Sequence, residues 1–235
     1  MTDVPEGPSK HQNHPLRRTA APAAGDRGLL LTRGRPDRAQ AWARKGQVPA
    51  QVVPLERWTA VCPAPSDARQ ASGQAGREAR GEAGGVELFA ARPVPGALRP
   101  AVGLYVVGVR AVVTVHGSGR RAVPRWLVWQ PGDALVLARP LTPGRFADLA
   151  LAAGLAVGAG TDRIAQVLLE PSGTAFDVLA DLLTALALPG RDLLDGSVAP
   201  AAAGGVDIVP SPRSVARLRA VAREDAKERA ELEQR

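Results

Sequence analysis

Residues 102–139, VGLYVVGVRAVVTVHGSGRRAVPRWLVWQPGDALVLAR, decide the fold. In an extended chain successive side chains point to opposite faces. One face of this run then carries Tyr105, Val107, Val109, Ala111, Val113 and Val115. The other carries Leu104, Val106, Gly108, Arg110, Val112, Thr114 and His116, and turns polar in its latter half. The pattern predicts sheet with an apolar face on a core. One straight strand of this length is uncommon, so a bend or bulge is expected near Gly108. Gly117-Ser118-Gly119 makes a turn and a strand returns over 123–129, where Trp126 and Trp129 must point to opposite faces. Pro131 and Gly132 fit the centre of a type II turn, and a further strand follows at 134–138.

Upstream, Val52, Val53 and the run 55–62 predict strands, with Trp58, Ala60 and Cys62 on one face, ended by Pro63 and Pro65. Residues 66–85 are polar, lack an apolar face and are expected to form a mobile loop; 86–91 is expected to be a short strand. Residues 1–50 are rich in Pro, Gly and Arg without a sustained period, and are read as a disordered basic arm. In bland terms this arm is a solvated tail, or translation from an upstream start codon that a GC-rich gene invites.

Downstream the period becomes helical. Thr142 as cap and Pro143 at the first position open one helix, with Phe146, Leu149, Ala150 and Ala153 on one face and Gly154 as its stop. Thr161 or Asp162 caps a second helix, with Ile164, Ala165 and Leu168 inward. The clearest helix spans about 173–188, with Phe176, Leu179, Leu183 and Leu186 in one stripe. Residues 191–210 read as irregular apart from a short strand at 206–209, and Ser211-Pro212 opens a solvated C-terminal helix. The expectation is one α+β domain over 51–209, with an antiparallel sheet of about 4–6 strands and helices mainly on one face. It is flanked by the arm (1–50) and the terminal helix (210–235).

The net charge of +7 is unevenly spread. Residues 86–145 hold 8 basic and 2 acidic side chains, whereas 146–209 hold 2 basic and 8 acidic. A basic sheet half beside an acidic helical half suits self-association or a charged protein partner. Of the 30 basic residues only Lys10, Lys45 and Lys227 are lysine, a skew that matches GC-rich coding. Cys62 stands alone, which rules out an intramolecular disulfide or a cysteine metal cage and fits a reducing cytoplasm. No apolar run reaches the roughly 18 residues of a membrane span. The N-terminal part has no apolar core beyond 29–31, so neither a membrane segment nor a secretory signal is expected.

Chemical motifs are weak. Gly117-Ser118-Gly119-Arg120-Arg121-Ala122 fits a dinucleotide fingerprint, but Pro124 and a strand follow where a helix is required. Gly158-Ala159-Gly160 precedes a helix, yet Asp162 would repel an arriving anion. His11 and His14 lack a third metal ligand, and no cofactor or metal is expected. Cys62 and His116 could pair as nucleophile and base only on neighbouring strands. Asp177 and Asp181 read as solubility charges on the outer face of their helix.

What remains is a positive group on the central stretch: Arg110, His116, Arg120, Arg121 and Arg125. These are the expected contacts for an anionic partner. The leading functional expectation is a non-enzymatic cytoplasmic protein-interaction or regulatory module. The alternatives are a weak nucleic-acid binder using the arm and hairpin arginines, and an enzyme with a site near His116.

Overall fold

The computed structural model describes residues 26–64, 85–119, 122–136 and 141–233. Among the described residues eight strands form one fully antiparallel sheet: β1 (Arg27–Thr32), β2 (Ala50–Pro54), β3 (Thr59–Pro63), β4 (Ala101–Val107), β5 (Arg110–His116), β6 (Arg125–Gln130), β7 (Ala134–Val136) and β8 (Val206–Ile208). Their order is β7-β6-β5-β4-β1-β3-β2-β8. Among the described residues the helices are α1 (Pro36–Arg44), α2 (Gly85–Ala90), α3 (Phe146–Ala153), α4 (Ala159–Leu169), α5 (Ala175–Ala185), α6 (Arg191–Asp195) and α7 (Pro212–Glu233). A 3-10 turn spans Gly96–Leu98.

The α+β class is as expected, but two finer expectations are corrected. The sheet has eight strands, beyond the expected 4–6, and helices cover both of its faces. On the first face α3 to α6 pack over Leu29, Leu31, Val102, Leu104, Val113 and their neighbours. On the second, α1, α2 and the 3-10 turn pack over Leu30, Val52, Val61, Ala101 and Tyr105. Trp129 joins the first core and Trp126 flanks the second, as their opposite facing requires.

One of the added strands, β1, and one wall of the second layer, α1, come from the stretch read as a disordered arm. Residues 1–25 lie outside the described residues, but 26–50 are folded. β1 is a central strand, paired with β4 on one side and β3 on the other. Leu29, Leu30 and Leu31 are all buried because the two faces of β1 meet different cores. A strand buried on both faces has no period-two alternation to recognise.

Val86 to Ala90, expected as strand, form most of the short helix α2, with Val86, Phe89 and Ala90 buried. Apart from Gly85, the expected mobile loop over 66–85 lies outside the described residues. The long run around Gly108 is two strands rather than one bent strand. Val107 pairs with Arg110, so Gly108 and Val109 form a two-residue hairpin turn. Only Gly108 takes positive φ (58°), the mark of a type II′ turn, while Val109 projects into solvent. The first helix of the C-terminal half starts at Phe146 after Arg145, because Thr142 and Gly144 hydrogen-bond to the backbone of Trp126 and hold that segment extended. Residues 191–210 contain α6 as well as β8.

Two glycines on the second face shape it. Gly28 and Gly103 lie under the ring of Tyr105, where a Cβ would collide with it. The ring therefore lies flat on the sheet and joins an edge-to-face chain in which Phe89 is 6.3 Å from Tyr105 and Trp42 is 5.3 Å from Phe89.

Candidate functional site

A concavity lies on the second face, and its walls follow from local sequence. Pro36 at the first turn and Asp37, which accepts a hydrogen bond from Arg35 Nε (3.1 Å), open α1. Helical spacing turns Ala39, Trp42 and Ala43 inward and leaves Arg38, Ala41 and Lys45 exposed. Opposite α1, Pro93 and Pro95 keep the chain after α2 extended, so Val94 and Leu98 plug into the core. Trp42 Nε1 donates to the Pro93 carbonyl (3.1 Å) and fixes the distance between the walls.

The result is a cleft of about 780 Å³. Trp42, Val48, Phe89, Val94 and Leu98 form its floor, and Leu218 of α7 stands at its edge. Among the described residues its charged lining is Arg38, Lys45, Arg92 and Arg99, all cationic. In protein interfaces an apolar centre supplies burial and charges around it set selectivity for partner charge. Arg92 is built into the wall. Its guanidinium lies 4.1 Å from the Trp42 ring centroid and donates to the Trp42 carbonyl. Burial lowers its pKa to about 10, so it stays charged at neutral pH. Arg99 is likewise anchored, donating to Val94 O (2.8 Å), Ala122 O (2.9 Å) and Gly119 O (3.2 Å). Arg38 and Lys45 are exposed at the rim.

Of the anionic-partner residues expected from sequence, the three described, Arg110, His116 and Arg125, are not brought together. Arg110 and His116 share the second face but terminate opposite ends of β5, six residues or roughly 20 Å apart at about 3.3 Å per residue. Arg110 donates to Gln130 Oε1 (2.8 Å). Arg125 points to the first face, where its Nε lies 3.3 Å from Asp148. Hydrogen bonding from Arg145, more than Arg125, holds the Asp148 carboxyl below the usual carboxylate range. Arg120 and Arg121 lie outside the described residues. His116 is 2 % exposed with Nδ1 unpartnered, and burial, reinforced by the Arg99 charge, lowers its pKa to about 4. A neutral, covered imidazole is not a surface contact for an anion.

The Cys62–His116 pair does not form, since β3 and β5 are separated by β1 and β4. Cys62 belongs to the first core, and burial pushes its thiol up to about 12. Among the described residues no group of three or more His, Cys, Asp or Glu could hold a metal ion. Asp177 is more than a solubility charge: it accepts from Thr174 N (2.8 Å) and closes the capping box of α5.

Sequence reasoning missed Arg38, Lys45, Arg92, Arg99 and the ring floor. Pro36 followed by Ala39, Trp42 and Ala43 at helical spacing was the available signal for α1. No helix among the described residues is long and apolar enough to cross a membrane. Comparison of the chain with protein-family models, curated proteins and solved structures finds no match.

Proposed function

We propose that this chain is a protein-interaction or regulatory module of the cytoplasm, without catalysis of its own, whose cleft docks an acidic protein surface bearing an apolar anchor. The observation that carries this reading is a cleft whose apolar floor meets, among the described residues, only cationic charged lining residues. Arg92 and Arg99 are held in place by the fold before any partner arrives, which reduces the ordering cost of binding. A nucleic-acid role draws support from the net charge of +7. The cleft itself favours protein, since Arg92 already covers the face of Trp42 and leaves no stacking platform there. An enzyme centred on His116 would need a carboxylate at a ring whose charged neighbour is Arg99.

The test uses two labelled probes, a helical Leu/Glu peptide of ~15 residues and an oligothymidine of equal charge, titrated against the full chain by fluorescence anisotropy. The peptide should bind, weaken with salt, and lose about tenfold in affinity when Arg38→Ser and Lys45→Ser are combined. Binding of the oligonucleotide alone would transfer the surface to nucleic acid. Silence from both probes would overturn the reading.

A further inference from the structure

The charge segregation seen along the sequence is resolved in space into two layers. The cationic cleft is on the second face of the sheet; the helices α4 to α6 that cover the first face carry Asp162, Glu170, Asp177, Asp181, Asp192 and Asp195 against Arg163 and Arg191. One site in the acidic layer has the shape and chemistry the cleft selects. At the end of α4, Leu169 is 56 % exposed and projects beside Glu170. Across the groove between α4 and α5 stands the exposed Asp181, which lines a shallow cleft together with Glu170 and Arg163. The C-terminus of α4 adds the negative end of its helix dipole at this point. An exposed leucine beside Glu170, on a layer where six carboxylates face two arginines, complements in charge a concave apolar floor ringed by Arg38, Lys45, Arg92 and Arg99.

Resting on the cleft reading above, we infer that the partner is a second copy of this chain, with the Leu169–Glu170–Asp181 knob of one molecule seated in the cleft of the next. Knob and cleft lie on opposite sides of one sheet, so a molecule cannot fill its own cleft. One self-complementary two-fold contact cannot use both surfaces either. The association is head-to-tail and leaves a free knob at one end and a free cleft at the other, which closes as a ring or continues as a filament. Its electrostatic part is carried by exposed rim charges and is therefore screened by salt.

The experiment is sedimentation velocity on the full chain and two neutralised variants: a cleft variant, Arg38→Ser with Lys45→Ser, and a knob variant, Leu169→Ser with Glu170→Gln and Asp181→Asn. All five positions are solvent-exposed, and circular dichroism checks that both variants fold. Near 20 mM salt, where the screening length is roughly 20 Å, the unmodified chain should grow in mean mass with concentration; at about 0.5 M salt it should return towards monomer. Each variant alone should stay monomeric. An equimolar mixture should give dimer and nothing larger, because it contains only one intact cleft type and one intact knob type. A monomeric unmodified chain at low salt, or assembly that persists in both variants, overturns the inference. If the chain is monomeric but the Leu/Glu peptide still binds the cleft, the second copy is the wrong occupant and the cleft reading stands; failure of both removes the cleft reading as well.

Discussion

The two faces of the sheet solve the same burial problem with different materials. On the first face α3 to α6 present mostly Leu, Ala and Val, and a nearly continuous aliphatic layer results. On the second face the short helices α1 and α2 cover the sheet with the help of a chain of rings, Trp42–Phe89–Tyr105. A single ring spans more surface than a leucine, so two short helices suffice there, but they leave a concave gap between them. In a chain with only 3% aromatic residues, placing three rings in one contiguous line gives that face a rigid, hollow surface. The thinly covered layer therefore sets apolar lining and fixed cationic charge side by side.

The largest test of this contrast is Phe89→Ala. It removes the central ring of the chain and should cost about 3–5 kcal/mol in denaturant unfolding. A loss below about 1 kcal/mol would mean that the second layer is an appendage of the first.

Next in size is the response to acid, which should come from the second face. His116 is buried neutral with a pKa near 4, against about 6.5 for an unfolded histidine. Its folded pKa is depressed, so below pH 6.5 the unfolded state binds the extra proton. Stability contributed by the neutral ring is full above about pH 6.5 and is lost as pH falls towards 4. The span of shift corresponds to at most about 3 kcal/mol. Comparing unfolding free energies of the parent and His116→Asn across this window isolates the effect, and parallel curves would refute it.

On the first face, Thr174→Ala removes a hydroxyl that accepts from Asp177 N (3.3 Å) at the start of α5, and should cost about 1 kcal/mol. Smallest of all should be Arg125→Ala. Its ion pair with Asp148 is partly solvated, so a loss of about 0–1 kcal/mol that shrinks in high salt is expected. A larger, salt-independent loss would show that the pair anchors α3 to β6.

How legible each face was in the sequence follows from the same contrast. The helices of the first face carry apolar stripes and strong stops, such as Leu179 and Leu183 in α5 with Leu186 at its C-cap, and Gly154 at positive φ after α3. The second face is made of pieces too short for a period to establish itself. α2 has six residues, and β1 shows Leu29, Leu30 and Leu31 without alternation. Gly108-Val109 was hidden because a valine occupies the turn between two valine-rich strands. The cleft was illegible for a further reason: Arg38 and Lys45 are far in sequence from Arg92 and Arg99, and β1 and α1 had to be recognised before the four could be seen to meet. Conversely, the basic cluster near β5 looked contiguous in one dimension, yet the pleat and strand length separate Arg110, His116 and Arg125.

The position of β1 also sets a timetable for the chain as it is made. Its edge towards β4 pairs Arg27 with Val106 and Thr32 with Ala101. At about 5–20 residues per second of synthesis, those leucines leave the ribosome roughly 4–15 s before their partners do. During that interval an apolar strand with an unpaired edge is open to other chains. Nascent molecules on crowded polysomes therefore face their greatest risk of misassociation before β4 emerges, and a slowed codon stretch between β3 and β4 should lower soluble yield more than the same pause placed after β5.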